Sequence, residues 1–465
     1  MNSPTITFYG AAGGVTGSKH LVQGNKSRIL LDCGIFQGLP DVRERNRSFP
    51  FAPDSIDAVV LSHAHLDHTG MLPLLVKRGF AGKIYATPAT RDIVEYMLAD
   101  TAKIEVQDAE YRARHHLGSP DERIPLFDAE DIPPVMDRFM PIPYARKDPS
   151  WHEVGSNVRM KFYDAGHILG SAVTVLEVDG KIVAYTGDLG PNSIPLLHDP
   201  EVPEEEITTL LMEATYGKRE HDNLDGAITN LAAAINRICE RGGKMLVPAF
   251  SLGRTQTIVY IIHKLVDEGR IPRFPMYVDS PLASHITEVH KHHHDLFDKE
   301  TTEDFGDDHK PLTFRNLTYT ESVDESKKLN SMDGPLMIIS AAGMMTGGRV
   351  VHHARQIISD KKNAVIITGF QAGGTPGRQL VEGAPEIELL GERLPVTAEI
   401  LVLNEFSAHA DRRQLLTYAQ KIKGLQSISL VHSESEQATA LKQYMEAEIP
   451  ELAVTIPSEG DTISL

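Results

Sequence analysis

The densest group of chemically active side chains lies in LSHAHLDHTG, residues 61–70. It brings together His63, His65, Asp67 and His68, directly after an apolar run. A packed core gains nothing from polar side chains that each need a partner once they are buried. Alternation in an extended strand end puts His63 and His65 on the same side, so one metal ion can bind this pair. A second ion can bind the aspartate and the last histidine, and the stretch therefore predicts a metal centre.

Further ligands are needed, because a zinc ion usually binds about four. Later strand ends supply candidates: His167 in YDAGHILGS, Asp188 in AYTGDLG and His432 in LVHSES. A carboxylate can bridge two ions, and metals about 3.5–4 Å apart share a hydroxide that can attack phosphorus. A single strand-end histidine is more often structural, but beside this cluster we favour the ligand interpretation.

A second histidine-rich run, HKHHHD at residues 290–295, is a rival metal site. It falls within a predicted helix in a charged context, where neighbouring side chains point in all directions. We therefore predict that this run is a solvated helix surface.

The elements that position the first cluster read as short strands with flanking helices. TITFYG, HLVQG, SRILLDCG and DAVVLSHAH predict strands, and GMLPLLVKRG and residues 91–116 predict helices. The proline- and charge-rich stretch that follows is expected to be mostly loop. Strands return in VRMKFYDAGH, AVTVLEVDG and KIVAYTGD, where alternation and an Asp-Gly turn indicate antiparallel pairing.

After about residue 204 the pattern changes to repeated units of strand, loop and helix. KMLVPAF, MYVDS, PLMIIS and AVIITG each run into a loop and then an amphipathic helix. Such repeats predict a parallel sheet with its loops gathered at the carboxyl edge of the strands. Arg254, Arg349 and Arg378 fall in or beside these loops, where a guanidinium can bind phosphate oxygens in bidentate fashion. A single loop of this kind would merely end a strand, but three arginines favour phosphate binding.

Composition limits the class of protein. A chain of 465 residues with 41% apolar residues predicts a globular protein of two domains. We expect no membrane partner, because no apolar stretch reaches the roughly 18 uncharged residues of a spanning helix. The N-terminal sequence lacks the features of a signal peptide, and Cys33 and Cys239 are too few for a disulfide framework, so a cytoplasmic location is expected. A net charge of -18 argues against nonspecific coating of nucleic acid but is compatible with a local basic groove.

The H-x-H-x-D-H motif after a strand, with later His and Asp at strand ends, resembles the metallo-β-lactamase superfamily. The remaining motifs resemble its β-CASP branch, nucleases that include ribonuclease J and the endonuclease subunit of the cleavage and polyadenylation factor. Closest in pattern are the short bacterial RNA-processing members. The motifs that carry this resemblance are FYGAAGGVTGSKHLV, LLDCGIFQG, PAFSLGRTQ, DSPLA, ISAAGMMTGGR, FSAHAD and VHSE.

The resemblance implies an α/β fold, a metallo-β-lactamase αββα sandwich with an inserted parallel-sheet β-CASP domain. The expected bounds are 1–203 for the first part of the metallo-β-lactamase domain, 204–396 for the insertion, and 397–465 for the C-terminal return. His432 requires this return, because it must reach a metal held near residue 63.

The resemblance also implies the roles of the site residues. One zinc ion is expected on His63, His65 and His167, a second on Asp67, His68 and His432, and Asp188 is expected between them. Asp32 is expected to orient a histidine ligand, although on its own it could simply cap a turn. Glu213 and His409 are expected to pair, with His409 assisting the leaving oxygen, although Glu213 on its own could be a surface charge. The catalytic residues implied are thus Asp32, Asp67, Glu213 and His409.

Phosphate contacts are implied for a larger set in the loops, and two positions depart from the family pattern. The set comprises Arg254, Ser340, Ala341, Gly343, Arg349, Arg378 and Ser407. Ser433 stands where the family usually has glycine after the last histidine, and would cost about 1 kcal/mol if that position needs a positive φ. Ala214 stands where serine commonly follows the acidic residue. Neither departure removes a ligand, so activity is expected.

The function implied is a zinc-dependent ribonuclease that hydrolyses phosphodiester bonds of single-stranded RNA through a metal-bridging hydroxide, in RNA processing or decay. Endonuclease and 5′-exonuclease action both stay open at this point, as does RNA over DNA beyond the family likeness. The chain lacks the extra RNA-binding modules of longer relatives, so added affinity for RNA is expected from the protein's own cleft, a partner or a homodimer.

Three alternatives compete with this function. A metallo-hydrolase of a small ester or thioester explains the ligands but leaves the insertion without a role. A noncatalytic scaffold is disfavoured because every ligand is present. A P-loop nucleotide binder based on GAAGGVTGSK fails, because serine rather than lysine follows Gly17.

Overall fold

The structure, a computed structural model, describes residues 3–38, 42–221, 223–305, 310–369 and 371–465. Phe370, at the start of the predicted FQAGGTPGR loop, lies outside these described residues. The chain forms two compact units. Unit 1 comprises Met1–Asn192, Asp199–Glu220 and His409–Leu465, and unit 2 comprises Ser193–His198 and His221–Ala408.

Unit 1 contains two mixed sheets. The strands of the first sheet are β1 (Thr5–Phe8), β2 (His20–Gln23), β3 (Arg28–Leu31), β4 (Ala58–Val60), β5 (Lys83–Ala86), β6 (Phe139–Pro141) and β22 (Thr462–Ser464), in the order β22-β1-β2-β3-β4-β5-β6. Pairing is antiparallel from β22 to β3 and parallel from β3 to β6. Three of the predicted strands are therefore confirmed in one meander, whereas β6 lies in a stretch predicted as mostly loop.

The second sheet of unit 1 carries the remaining strands of this unit. They are β7 (His152–Gly155), β8 (Val158–Asp164), β9 (Ala172–Val178), β10 (Lys181–Tyr185), β11 (Thr209–Glu213), β20 (Ser427–Val431) and β21 (Ala453–Thr455), in the order β21-β20-β11-β10-β9-β8-β7. The predicted antiparallel pairing of β8, β9 and β10 is confirmed. β10, β11, β20 and β21 run parallel to one another.

Helices flank both sheets of unit 1. They are α1 (Val42–Arg45), α2 (Leu66–Thr69), α3 (Leu72–Lys77), α4 (Pro88–His115), α5 (Ile132–Met136), α13 (Arg412–Lys421) and α14 (Ser435–Glu448). α4 begins three residues before the predicted helix, because the Thr87 side chain accepts a hydrogen bond from Thr90 N–H and Pro88 is preorganised for the first turn. α13 and α14 bury apolar side chains against the second sheet, in a core that includes Leu415 and Leu441.

Unit 2 is built on a parallel sheet, as predicted. Its strands are β12 (Lys244–Pro248), β13 (Met276–Asp279), β14 (Leu317–Tyr319), β15 (Leu336–Ser340), β16 (Ala364–Ile367) and β19 (Glu399–Val402), in the order β14-β13-β15-β12-β16-β19. All five pairings in this sheet are parallel. A separate antiparallel hairpin joins β17 (Glu386–Leu389) and β18 (Glu392–Pro395).

Helices of unit 2 cover both faces of this sheet. They are α6 (Leu224–Glu240), α7 (Arg254–Asp267), α8 (Pro281–His292), α9 (Lys299–Phe305), α10 (Val323–Ser331), α11 (Arg349–Ile357) and α12 (Pro376–Val381). Alternate residues of one strand enter different cores: Met245 and Val247 pack on the side of α6 and α7, and Leu246 packs on the side of α11. Burial of both faces is typical of a doubly wound parallel sheet.

The contacts divide the chain at other points than the predicted bounds at 203/204 and 396/397. β11 pairs with β10 and β20 in unit 1, and β19 pairs with β16 in unit 2. Each strand belongs with the sheet that supplies its hydrogen bonds. The boundaries between the units that replace the two predicted ones therefore lie at 220/221 and 408/409. The αββα arrangement with a parallel-sheet insert is confirmed.

The second histidine run differs in part from its prediction as a solvated surface. His290 is buried in α8, where its Nδ1 donates to Ile286 O at 2.9 Å, and burial lowers its pKa to about 4. Within the described residues, this run forms no cluster of the kind that holds a metal ion. No helix of the described chain combines the length and apolar character needed to cross a membrane.

Candidate metal centre

Every predicted ligand follows the carboxyl end of a strand in unit 1. β3 and β4 are parallel neighbours, and so are β10, β11 and β20. β8 runs in the same direction as β10, because both pair antiparallel with β9. Within each sheet the carboxyl ends of these strands lie at one edge, and contacts of His63 and His68 with Asp188 bring the two edges together. They carry Asp32 after β3, His63 to His68 after β4, His167 after β8, Asp188 after β10, Glu213 at the end of β11 and His432 after β20.

The first group of ligand atoms consists of one nitrogen from each of His63, His65 and His167 and one oxygen of Asp188. His63 Nε2 and His167 Nε2 lie 3.0 and 3.2 Å from His65 Nδ1. The same two nitrogens lie 3.4 and 3.5 Å from Asp188 Oδ2. Ligands about 2.0–2.1 Å from a tetrahedral zinc ion are separated from one another by roughly 3.3 Å. The spacing therefore fits a single tetrahedral ion.

The second group consists of Asp67, His68 and His432. His432 Nε2 lies 3.2 Å from Asp67 Oδ2, and His68 Nε2 lies 4.0 Å from that oxygen. Asp188 turns its other oxygen to this group, with Oδ1 3.4 Å from both His68 Nε2 and His432 Nδ1. One carboxylate thus faces both groups, which is the arrangement of a bridging ligand.

Unsatisfied buried atoms support metal binding at these groups. Among the described residues, His68 Nε2 and Asp188 Oδ1 are buried and have no hydrogen-bond partner. A buried polar atom without a partner is costly, and a divalent cation between these two atoms would remove that cost. Imidazole and carboxylate are among the groups that bind zinc in proteins.

The charges of the site point the same way. Burial lowers the pKa of His63 well below its usual value, and neighbouring imidazoles add to the effect. Burial also lowers the pKa of His65, to about 4. These imidazoles are therefore neutral, as metal ligands must be. Burial opposes charge on His432 as well, but Asp188 and Asp67 outweigh it and raise its pKa to about 10. The negative charges of Asp188 and Asp67 therefore stabilise a positive charge at this position, either a proton on His432 or a cation.

Asp32 lies where the sequence predicts it, beside a histidine ligand. It is fully buried, and its Oδ2 accepts a hydrogen bond from His68 Nδ1 at 2.7 Å. This bond fixes His68 with Nε2 directed at the second group. Ser62 N–H donates to Asp32 Oδ1 at 2.7 Å, and the Ser62 hydroxyl donates to Oδ2 at 2.8 Å.

Sequence reasoning missed several residues of this network, among them Ser62, Tyr185 and Thr215. Tyr185 donates its hydroxyl proton to Asp32 Oδ2 at 2.7 Å and contacts the Ser18 hydroxyl at 2.9 Å. The Thr215 hydroxyl lies 3.2 Å from His432 Nδ1 and donates to His432 O at 3.1 Å. Tyr185 stands 153 positions from Asp32 in sequence, so only the pairing of strands reveals the contact, although it shares the AYTGD motif with Asp188.

Glu213 and His409 form the predicted pair. His409 Nδ1 lies 3.0 Å from Glu213 Oε1 and 3.2 Å from Oε2. Burial opposes charge on both groups, but their mutual attraction outweighs it, so the pKa of His409 is raised and that of Glu213 is lowered. Glu213 is fully buried and also accepts hydrogen bonds from Leu189 N–H and Thr215 N–H, at 2.7 and 3.2 Å. Because both of its oxygens have donors, we interpret this pair as a positioned imidazole rather than as a third metal site.

The two departures from the family pattern leave the geometry intact. The residue with a positive φ is His432 itself, at 52°, and Ser433 is absent from the positive-φ residues of the described chain. The expected strain at Ser433 is therefore not found. Ala214 is fully buried, and its N–H donates to Val431 O at 3.0 Å, so it joins β11 to β20 as serine would.

Arg349 has partners within unit 2 that differ from its predicted phosphate contact. Its Nη1 donates to Asp279 Oδ1 at 2.7 Å and to Thr320 O at 3.4 Å, and its Nη2 donates to Glu321 O at 2.6 Å. A guanidinium with these acceptors braces the loops after β13 and β14. Phosphate binding by Arg349 stays a prediction, and this geometry does not favour it.

The other predicted phosphate residues lie at or near the carboxyl edge of the unit 2 sheet. Ser340 ends β15, Arg254 begins α7, and Ala341 and Gly343 follow Ser340. Arg378 lies in α12, where its Nε donates to Glu382 Oε1 at 2.6 Å. Ser340 is buried and donates its hydroxyl proton to Asp279 O at 3.1 Å. Ser407 is also buried, beyond β19. Their phosphate contacts stay predictions.

Comparison with protein families gives three consecutive matches. Residues 12–219 match the metallo-beta-lactamase superfamily, and residues 255–380 match the Beta-Casp domain. Residues 393–457 match the Zn-dependent metallo-hydrolase RNA specificity domain. The matches follow the order expected for an inserted domain.

Similar proteins align over almost the whole chain. A ribonuclease of Thermus thermophilus is 34% identical over 455 residues, which are 98% of this chain and 99% of that protein. An RNase J-like protein of Methanocaldococcus jannaschii is 32% identical over 93% of each chain. A transcription termination factor, FttA, of the same organism is 29% identical over 93% of this chain and 67% of its own length. A solved structure from Enterococcus faecalis, of a protein of unknown function, covers both chains completely with a TM-score of 0.56 and 14% identity, a likeness of fold alone.

Proposed function

This chain belongs to the β-CASP branch of the metallo-β-lactamase superfamily, and from that membership we propose that it is a metal-dependent ribonuclease acting on single-stranded RNA. The observation that carries the proposal is the convergence of seven ligand side chains on two groups that share Asp188. The match to an RNA specificity domain and the ribonucleases among its relatives support RNA as the substrate.

The family and the two ligand groups establish divalent metal binding; two zinc ions per chain are our proposal. We assign His63, His65 and His167 to one ion, Asp67, His68 and His432 to the other, and Asp188 to both. When bound, such a pair of ions supplies a water nucleophile of lowered pKa and positive charge beside the phosphate.

The protein's own residues hold the ligands and move the proton. Asp32 keeps the Nδ1 proton of His68 directed away from the centre. Glu213 holds His409 through Nδ1, and we assign proton delivery to Nε2. Protonation of the departing ribose oxygen by a positioned imidazole avoids the release of a poor leaving group. Arg254 and the loop of Ser340, Ala341 and Gly343 are proposed to contact the phosphates, with Arg378 and Ser407 as further candidates.

A cytoplasmic location forms part of the proposal. Both cysteines, Cys33 and Cys239, are free thiols, which suits a reducing compartment. A homodimer stays a prediction of the sequence.

The direct test gives the purified protein a single-stranded RNA labelled at either end, with and without a metal chelator. We expect cleavage that the chelator abolishes and that added zinc restores, and elemental analysis giving two zinc ions per chain. Mononucleotides released from the 5′ end would identify exonuclease action, and discrete internal fragments would identify endonuclease action. Cleavage insensitive to the chelator, or thioester hydrolysis without RNA cleavage, would contradict the proposal.

A further inference from the structure

The loop after β12 in unit 2 presents an aromatic side chain to solvent. Phe250 is 45% exposed, whereas the other aromatic side chains of unit 2 that the structure describes are buried or half-buried. A single exposed apolar side chain is ordinary by itself. The position and rigidity of Phe250 are what distinguish it.

The backbone around Phe250 is fixed by hydrogen bonds on both sides. Ala249 N–H donates to Ser340 O at 3.1 Å. Phe250 O accepts from Thr255 N–H at 3.3 Å and from the Thr255 hydroxyl at 2.8 Å. The Gln256 amide donates to Ser251 O at 3.1 Å. The ring therefore stands on a loop that is tied to β15 and to the first turn of α7.

The ring of Phe250 also rests against a predicted phosphate loop. A Cβ atom added to Gly343 would lie 3.1 Å from Phe250 Cδ2 and Cε2 and 3.2 Å from Phe250 N. Such approach is tighter than most real Cβ contacts, so glycine lets the loop pack against the edge of the ring. One edge is supported, and about half of the side chain stays open to solvent. Arg254, four positions further on, starts α7 at the same edge of the sheet.

We propose that Phe250 is a nucleobase-binding residue, on which one base of single-stranded RNA stacks while the neighbouring phosphate lies at the loop of Ser340 to Gly343. The inference rests on the proposed ribonuclease function and adds a subsite to it. Proteins bind single strands by stacking unpaired bases on aromatic side chains and holding the backbone with cationic or loop donors. Every base has a π face, so this subsite favours a single strand over a duplex and tolerates different sequences.

The first test measures RNA affinity in the His409→Ala background, in which cleavage is expected to be slow enough for the binding measurement. Stacking on an aromatic ring predicts roughly 5- to 150-fold weaker binding after Phe250→Ala. Phe250→Leu should be as weak, because it keeps apolar bulk without a ring, and Phe250→Tyr should bind like Phe250. Val323→Ala, at another exposed apolar position of unit 2, is the matched control and should have no effect.

A second arm removes the base instead of the ring. In this arm an abasic nucleotide replaces each nucleotide of the RNA in turn. At one position the protein that retains Phe250 should lose as much affinity as Phe250→Ala loses for the intact RNA. At that position Phe250→Ala should show no further loss. Additive losses at every position would overturn the inference.

A spectroscopic arm reports the contact itself. The chain has a single tryptophan, Trp151, which lies in unit 1. Phe250→Trp adds a reporter whose fluorescence should be quenched by single-stranded RNA, whereas the protein with Trp151 alone should show little change. If Phe250→Ala fails to fold, Phe250→Leu and Phe250→Trp carry the test. Unchanged RNA affinity in all these variants would refute the subsite, whereas failure of the unsubstituted protein to bind or cleave RNA would refute the proposed ribonuclease function.

Discussion

Two buried clusters of histidine and aspartate, one in each unit, differ in how their polar atoms are satisfied. In unit 2, Asp279 is buried and its carboxylate accepts hydrogen bonds from Ser326 at 2.6 Å, from Arg349 at 2.7 Å and from Thr320, and lies 2.7 Å from His353 Nε2. The other nitrogen of His353 lies 2.8 Å from Asn330 Oδ1. Each group in this cluster has its partner within the protein.

In unit 1, the centre around Asp188 lacks such partners. Its Oδ1 and His68 Nε2 have no hydrogen bond among the described residues, and the neighbouring ligand atoms lie 3.0–4.0 Å apart within the two groups. The two clusters use similar residue types. What distinguishes a cluster built for a metal ion from one built for the fold is therefore the saturation of its hydrogen bonds, not its composition.

The sharpest way to break this comparison is to remove Asp188, which faces both ligand groups. We expect Asp188→Ala to lose bound zinc and all metal-dependent RNA cleavage, because each of the two proposed ions would lose one ligand and the pair would lose the carboxylate that we assign to both. Metal content per chain and cleavage of labelled RNA measure the two effects. Asp279→Ala in unit 2 is the matched control and should keep its metal. Full occupancy and normal turnover in Asp188→Ala would show that the comparison is wrong.

Removal of His409 separates metal binding from proton delivery. His409→Ala should retain both ions and lower kcat by about 10²- to 10⁴-fold, the usual contribution of a positioned acid or base. Elemental analysis and single-turnover cleavage test the two parts. Glu213→Gln should move kcat in the same direction by a smaller factor, because it leaves the imidazole in place without its carboxylate. A metal-free His409→Ala protein would assign this histidine to the metal site instead.

The sequence predicts one of these clusters far better than the other. The stretch from His63 to His68 contains four polar residues with ligand atoms. The strands that precede His167, Asp188 and His432 are recognisable in the sequence as apolar runs. Asp279 ends a strand of the parallel sheet and Arg349 begins a helix. Nothing in the sequence near either residue indicates that they contact each other. The sequence predicts a phosphate contact for Arg349 because this residue lies beside a strand-to-helix loop. Its partners, the Thr320 and Glu321 carbonyl oxygens and the Asp279 carboxylate, come from other loops and are visible only in the structure. Hydrogen-bond partners that are distant along the chain cannot be recognised from the sequence around a side chain.

The strand pairings explain the other differences. The sequence places residues 209–213 in the insertion, whereas hydrogen bonds of β11 to β10 and β20 assign them to unit 1. Likewise, Tyr185 shows as a residue of a strand, whereas its bond to Asp32 depends on how two sheets are placed within unit 1.

The saturated cluster should matter to stability rather than to metal binding. Asp279→Ala leaves Arg349 and His353 without their shared acceptor, and loss of one partner from a buried ionic network costs about 3–5 kcal/mol. For a unit of this size that corresponds to a fall of roughly 10 °C in the unfolding midpoint. Calorimetry of the whole chain measures it. A midpoint unchanged within error would mean that the network contributes little to the fold.

The same cluster predicts that the free energy of unfolding of unit 2 falls at acidic pH. Burial opposes charge on Asp279, but hydrogen bonds from His353, Ser326, Thr320 and Arg349 outweigh it and lower its pKa to about 2. Since the unfolded chain binds the proton near pH 4, this carboxylate stabilises the fold fully above about pH 4 and loses that effect toward pH 2, by about 2 kcal/mol. The difference in unfolding midpoint between the unsubstituted chain and Asp279→Asn should therefore narrow from pH 5 to pH 2. A constant difference would contradict the assigned pKa.

The smallest expected effect concerns the hydrogen bond from Tyr185 to Asp32, and it tests whether a residue two contacts away from the metal ions still affects their affinity. Tyr185 donates to Asp32, which in turn orients His68, so Tyr185→Phe removes one bond from a buried acceptor that keeps its two bonds from Ser62. The loss of one hydrogen bond of about 1 kcal/mol predicts roughly 5-fold weaker zinc affinity, against about 10- to 100-fold for Asp32→Ala. Competition with a chromogenic chelator measures both. Tyr418→Phe removes a comparable bond, from Tyr418 to Glu201 O at 2.9 Å, in the same unit and outside the network. If Tyr418→Phe weakens zinc binding as much as Tyr185→Phe does, the effect belongs to general stability, because only Tyr185 is linked to a ligand through Asp32.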